Sequence, residues 1–301
     1  MAQAADPCRA RLGYVAFRAP CFPADRSLCH RRVSYEIVGM RSLVVAALVS
    51  GLAARIAAAV DAGDGWHALA VGAGSDGPRP IARIYNGIPT TDYPAVGGIV
   101  LRTADDRLAL CTGTLITPTV VVTAAHCFDL NPVQAVAVFF PDGATEQDVA
   151  AVAYIQHPDY SPDALAYADI ALLALESAVG VMPVPVATAT PRPKRAGVIV
   201  GFGQDEVGNI GLKEAGTIKL RRCPKKFGAA GIARGQLATS LCWHPKKRGQ
   251  DTCHGDSGGP LLVGGALAGV TSGGYPDCPG VLSWDTNVAL FGDWIAAALG
   301  P

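Results

Sequence analysis

The sequence predicts an all-β barrel or sandwich that ends in a helix. Short apolar runs rich in β-branched residues recur along residues 97–271. Turn signals such as Pro141-Asp-Gly143 and Pro158-Asp-Tyr160 separate them. The pattern changes to a helical period near the C-terminus. The expected strands, in order, cover residues 97–102, 110–116, 120–123, 135–140, 170–175, 198–201, 261–263 and 268–271. Over residues 287–299 the side chains of Val288, Phe291, Trp294 and Ile295 fall on one helical face. Gly300-Pro301 then stops the helix. That aromatic face reads as core packing, not as a cofactor site.

The region upstream of Ile84 reads differently. Residues 40–62 start with Met40-Arg41 and continue into an apolar run that Arg55 interrupts. Small or apolar residues follow at Val60 and Ala62. This is the pattern of a signal peptide, and the run is too short to span a bilayer comfortably. Residues 1–39 are rich in Arg, contain Cys8, Cys21 and Cys29, and show no hydrophobic period. They are expected to be an upstream extension that precedes the true start. Residues 63–83, rich in Gly, Ala, Asp and Pro, read as a short propeptide. Residues 84–301 form the expected main domain. The chain's formal net charge of +0 gives no electrostatic argument for nucleic acid or an anionic membrane as partner. No CxxC pair or His-x₃₋₅-His spacing supports a metal site, and no cofactor is expected.

The chemistry is concentrated at Asp251-Thr-Cys-His-Gly255-Asp256-Ser257-Gly258-Gly259-Pro260. A serine hydroxyl is a poor nucleophile alone. It needs a base, a group that orients the base, and donors for the developing oxyanion. His126 closes the run Val120-Val-Val-Thr-Ala-Ala-His126-Cys127, where small residues leave room around the imidazole. Asp169 opens the apolar run Asp169-Ile-Ala-Leu-Leu. A carboxylate there can accept the imidazole N–H and leave the second nitrogen free as a base. Gly255-Asp-Ser257-Gly-Gly259 also fits the G-x-S-x-G elbow of α/β-hydrolases, but that fold places its histidine after the serine. No histidine follows Ser257, and Gly-Gly-Pro suits a helix poorly. A subtilisin-like order needs an aspartate before the histidine, and none there sits in a comparable apolar context.

Thr123-Ala-Ala-His126-Cys127, Asp169-Ile-Ala-Leu-Leu and Gly255-Asp-Ser-Gly-Gly-Pro260 together resemble the trypsin/chymotrypsin-like serine protease family, from Ile84 to the C-terminus. The resemblance implies two six-stranded antiparallel β-barrels with a C-terminal helix and a catalytic cleft between the barrels. It implies His126 as general base and acid, Asp169 as orienter and Ser257 as nucleophile. The N–H groups of Gly255 and Ser257 would form the oxyanion hole.

The same resemblance points to zymogen cleavage between Arg83 and Ile84, after which the Ile84 ammonium pairs with Asp256. The family's usual Ile-Val-Gly-Gly start is replaced here by Ile84-Tyr85-Asn86-Gly87. Asp251, six residues before Ser257, would be the floor of the primary specificity pocket and bind a substrate Arg or Lys. Ser272, Gly274 and Gly280 would line substrate. Gly273 stands where the family usually has a tryptophan, and the loop of residues 272–280 is short. The implied disulfides are Cys111–Cys127, Cys223–Cys242 and Cys253–Cys278, which suit an oxidising compartment. The implied protein is a secreted monomer, with no stable membrane anchor, that acts on protein or peptide substrates and is open to protein protease inhibitors. The alternative is a catalytically silent homologue that serves as a binding protein.

Overall fold

The computed structural model describes residues 64–70, 84–130, 133–141, 146–164, 167–203, 212–228, 231–232, 235–245, 249–276 and 278–300. The expected upstream extension, the signal peptide, Arg83 and the three upstream cysteines lie outside the described residues.

The described residues are mostly β, in two seven-stranded sheets. The first is built from β1 (His67–Ala68), β3 (Val96–Thr103), β4 (Leu108–Thr117), β5 (Val120–Thr123), β6 (Val133–Pro141), β7 (Glu146–Gln156) and β8 (Ala171–Leu175). Its order is β1-β7-β6-β3-β4-β5-β8, and β8 pairs back onto β7. Six strands therefore form a closed barrel, with β1 added outside the ring against β7. Closure removes free edges and fills the interior with side chains. Val120, Val121, Val122, Leu172 and Leu173 are all fully buried there. Each such aliphatic side chain contributes roughly 1.5–3 kcal/mol by leaving water.

The second sheet contains β2 (Ile88–Pro89), β9 (Ala196–Gly201), β10 (Glu214–Lys219), β11 (Ser240–Trp243), β12 (Pro260–Val263), β13 (Ala266–Tyr275) and β14 (Leu282–Asn287). Its order is β11-β14-β13-β12-β9-β10-β2. Its six longer strands curl until the two ends meet just beyond β10. There the Arg221 N–H donates to the Cys242 carbonyl at 2.7 Å, in an isolated bridge. The second unit is thus tied by one bridge and the Cys223–Cys242 disulfide, whereas the first is closed by a full ladder.

Six strands beyond the predicted set appear among the described residues: the two-residue β1 and β2, and the longer β7, β10, β11 and β14. β7 is rich in alanine, a helix former, yet Val149, Ala151, Ala153 and Ile155 alternate into the barrel core. The predicted C-terminal helix is divided. A 3₁₀ turn covers Val288–Leu290, and helix α1 covers Gly292–Leu299. Phe291 between them has φ −114°, and the weak helix former Gly292 follows it. Val288, Phe291 and Ile295 are buried as the periodicity requires, while Trp294 is half-buried. Gly300 at φ 69° ends the helix and donates to the carbonyls of Ala296 and Ala297. Among the described residues, no helix is long and apolar enough to cross a membrane.

Candidate active site

His126 comes from the first barrel. The buried strand β5 runs into a 3₁₀ turn, Ala125–Phe128, that projects the imidazole. The Cys111–Cys127 disulfide ties this turn to β4. Asp169 stands just before β8, which pairs with β5 from Val120↔Ala174 to Thr123↔Ala171. Register between these strands therefore brings together two residues 43 positions apart. Ser257 lies on the tight turn that leads into β12 of the second sheet.

These three side chains form one hydrogen-bonded line. His126 Nδ1 is 2.8 Å from Asp169 Oδ2, and His126 Nε2 is 2.8 Å from Ser257 Oγ. The His126 backbone N–H donates to Asp169 Oδ1 at 2.9 Å, which fixes the carboxylate relative to the ring. Ser272 Oγ donates to Asp169 Oδ2 at 2.6 Å, and Thr286 Oγ1 donates to the Asp169 carbonyl at 2.8 Å. Burial disfavours the charged imidazole, but the charge and hydrogen bond of Asp169 outweigh it and leave the His126 pKa raised. A base held this way can take a proton from Ser257 and stabilise the resulting imidazolium.

The backbone around Ser257 is held in a tight turn by its glycines and by Thr112. Gly255 has φ +93°, and a Cβ there would lie 3.1 Å from the Gly203 Cα. Gly258 has φ +82°, and a Cβ there would collide with Thr123 Oγ1 and the Thr112 carbonyl. Thr112 clamps the loop from β4. Its N–H donates to the Ser257 carbonyl at 2.8 Å and its hydroxyl to the Gly255 carbonyl at 2.9 Å. Neither the Gly255 N–H nor the Ser257 N–H donates to another group among the described residues. Sequence reading missed Thr112, because a threonine beside a cysteine in an apolar strand carries no local signal.

Comparison with known proteins settles the family. The trypsin family model matches residues 86–295. The chain belongs to the trypsin family. A trypsin of Saccharopolyspora erythraea is 33% identical over 206 residues, covering 63% of this chain and 87% of that one. Trypsin eta of Drosophila erecta is 28% identical over 250 residues, 75% of this chain and 94% of its own. Among solved structures, neuropsin, a serine protease expressed in the limbic system of mouse brain, aligns with TM-score 0.60 at 26% identity. That alignment covers 72% of this chain and 99% of neuropsin.

The residues expected to form the specificity pocket surround a buried carboxyl. Asp251 is almost wholly buried and accepts from four donors. They are the Trp243 indole at 3.2 Å, the Thr252 N–H at 3.0 Å, the Gly280 N–H at 2.8 Å and the Ser283 hydroxyl at 2.7 Å. Burial raises its pKa, and these bonds offset part of the rise. Gly274 pairs in register with Ser283, so Ser283 faces it, while Gly280 contributes its N–H to Asp251. The indole of Trp284 presses on Gly273 from the neighbouring strand, where a Cβ would meet its ring at 2.6 Å. An aromatic side chain thus underlies the position that lacks one.

Asp285 is fully buried on β14, two residues from Ser283 and on the same strand face. Among the described residues, neither of its carboxylate oxygens has a well-formed hydrogen bond. Burial pushes its pKa well up, the nearby Thr271 hydroxyl partly opposes this, and the charge of Asp251 adds to it.

Ile84 is fully buried among Ile199, Ile218 and Trp243. Tyr85 and Asp251 exchange backbone hydrogen bonds at 2.9 and 3.2 Å. The segment after Arg83 is therefore already seated on the second sheet. Asp256 is also fully buried and accepts from the N–H groups of Gly203 and Cys253. Burial drives its pKa well above the ordinary value, and the charges of Asp251 and Glu214 add to the rise. All three implied disulfides are formed.

Proposed function

We propose that this protein is a secreted serine endopeptidase, made as a zymogen cleaved after Arg83, that cuts peptide bonds after Arg or Lys. The unbroken hydrogen-bonded line from Asp169 through His126 to Ser257 carries the reading. Ser257 Oγ attacks the carbonyl carbon while His126 Nε2 takes its proton. Asp169 holds the ring and stabilises the imidazolium. The carbonyl oxygen, now an anion, accepts from the N–H groups of Gly255 and Ser257, each donor being worth on the order of 10²–10³ in rate. His126 gives the proton to the leaving nitrogen, the C–N bond breaks, and an ester remains on Ser257. Water then repeats the sequence, with His126 as base, and releases the acid.

Specificity for a basic side chain is supported by the buried carboxyl of Asp251, with that of Asp285 on β14 close enough to feel its charge. A buried carboxylate without a cation is costly, so an entering guanidinium or ammonium gains from pairing there. Ser272, Gly274 and Gly280 complete the proposed substrate-binding set. The same argument applies to Asp256, for which the Ile84 ammonium released by cleavage would be the cation. Secretion through a signal peptide at residues 40–62 is supported by the three disulfides, which belong in an oxidising compartment. Residues 63–83 are the proposed propeptide and 84–301 the protease domain.

Labelling tests the chemistry. Once the chain is cut after Arg83, an arginine organophosphonate should modify Ser257, as read by peptide mapping, and His126→Ala should not be modified. A cleaved wild-type chain that forms no adduct would instead be a silent binding homologue. A peptide-library profile should show Arg or Lys before the scissile bond; aromatic or small residues there would overturn the pocket assignment. Arg83→Gln should remain an inactive precursor, and full activity in it would remove the activation step.

A further inference from the structure

Residues 64–70 fall in the proposed propeptide, yet they are built into the first barrel. Trp66 and Leu69 are each only 7% exposed and belong to the barrel's main core cluster. β1 pairs with β7 through His67↔Tyr154 and Ala68↔Ala153. Main-chain bonding continues past β1, first to β7 and then to β6. The Leu69 N–H donates to the Val152 carbonyl at 2.9 Å and the Ala70 N–H to the Gln134 carbonyl at 3.0 Å. Two apolar anchors and a run of main-chain bonds add a strand beside the half of β7 that β6 leaves unpaired, a recurring mode of peptide recognition.

This strand also reaches the catalytic histidine through packed groups. The His67 ring stacks on Tyr154 with centroids 4.9 Å apart, and Tyr154 stacks on Phe128 at 4.1 Å with the rings 5° from parallel. Phe128 ends the 3₁₀ turn that carries His126. From the end of β7, Gln156 Nε2 donates to the Ala125 carbonyl at 2.9 Å, one residue before His126. Strand β1 thus packs against the strand that holds the histidine turn at two points. No cysteine occurs in residues 63–83, so no disulfide can tether this segment to the barrel.

We propose that residues 64–70 are a docking strand that stays on the first barrel, without a covalent link, after the chain is cut following Arg83, and that it steadies the turn bearing His126. The active form is then a two-chain enzyme whose short chain is the N-terminal peptide. This rests on the reading of Arg83 as the activation site. Trp66 and Leu69 anchor the strand, and His67 acts as a positioning residue through Tyr154.

The test uses the full secreted chain with only the residues immediately before Ile84, downstream of residue 72, replaced by the recognition sequence of a sequence-specific protease. Cleavage is then independent of any natural activator, and N-terminal sequencing verifies it. In non-denaturing buffer the short chain should co-elute with the protease domain in equal amount by mass spectrometry, and it should separate in urea. In Trp66→Ala/Leu69→Ala it should be lost. kcat should then fall about tenfold with little change in KM, as expected for a displaced catalytic group. A synthetic peptide of residues 63–72 should restore kcat. A wild-type short chain that elutes separately, or a double variant that loses the fragment but keeps full kcat, overturns the proposal. Failure of the Arg83 reading is seen separately, as an unmodified chain that reaches full activity with its Arg83–Ile84 bond intact.

Discussion

Asp169 accepts two hydrogen bonds from His126 and one from Ser272, while its own carbonyl takes the Thr286 hydroxyl. Replacing it with asparagine keeps the shape but removes an acceptor and favours the wrong imidazole tautomer. Asp169→Asn should therefore lower kcat by about 10⁴ with the fold retained, as measured by steady-state kinetics and circular dichroism. Asp285 makes the opposite point. A buried carboxyl with no well-formed hydrogen bond costs roughly 1–3 kcal/mol. Asp285→Leu should raise the melting temperature by several degrees; a drop would mean that the carboxyl is needed to hold β14 in place. His126, Asp169 and Ser257 were legible because nucleophilic catalysis demands those residue types in a recognisable context. Thr112, Trp243 and Ser283 were not, because they act through where the fold places them.

At the scale of elements, the strands that carry β-branched runs could be read directly, while those rich in alanine or polar residues could not. β14 contains Ser283, Asp285 and Asn287, all buried. Asp and Asn are depleted in strands, so only the pairing of β14 with β13 and β11 explains it. The Ser257 turn depends on another long-range fit. Gly258 has φ +82°, and the Thr112 carbonyl lies 2.4 Å from where its Cβ would sit. Backbone on both sides cannot yield, so Gly258→Ala should destabilise by more than about 1 kcal/mol and impair activity, as read by urea denaturation and active-site titration. A variant as stable and active as the parent would mean that the turn can re-form in another way.

Across the whole molecule, buried acids set the response to pH. Burial raises the pKa of Asp251, Asp256 and Asp285, and the His126 pKa is raised by Asp169. The folded chain therefore holds protons that the unfolded chain releases near pH ~4 for the carboxyls and ~6.5 for the imidazole. Above those values the unfolded state binds fewer protons, so stability falls as pH rises through the folded pKa values. The melting temperature of Arg83→Gln should thus be lower at pH 8 than at pH 5, and an upward slope would contradict the burial of these acids. Chain order excluded two other hydrolase architectures, because the order histidine, aspartate, serine can be read without coordinates. The types and order of the reacting groups, the cysteine pairs and the final apolar helix face all follow from local chemistry and family resemblance. What only the folded chain decided is which distant groups meet: the four donors on Asp251, the burial of Asp285 beside Thr271, the bridge across the second sheet and the N-terminal strand on the first. These depend on strand register and closure between residues far apart in the chain, and no local pattern encodes such distances.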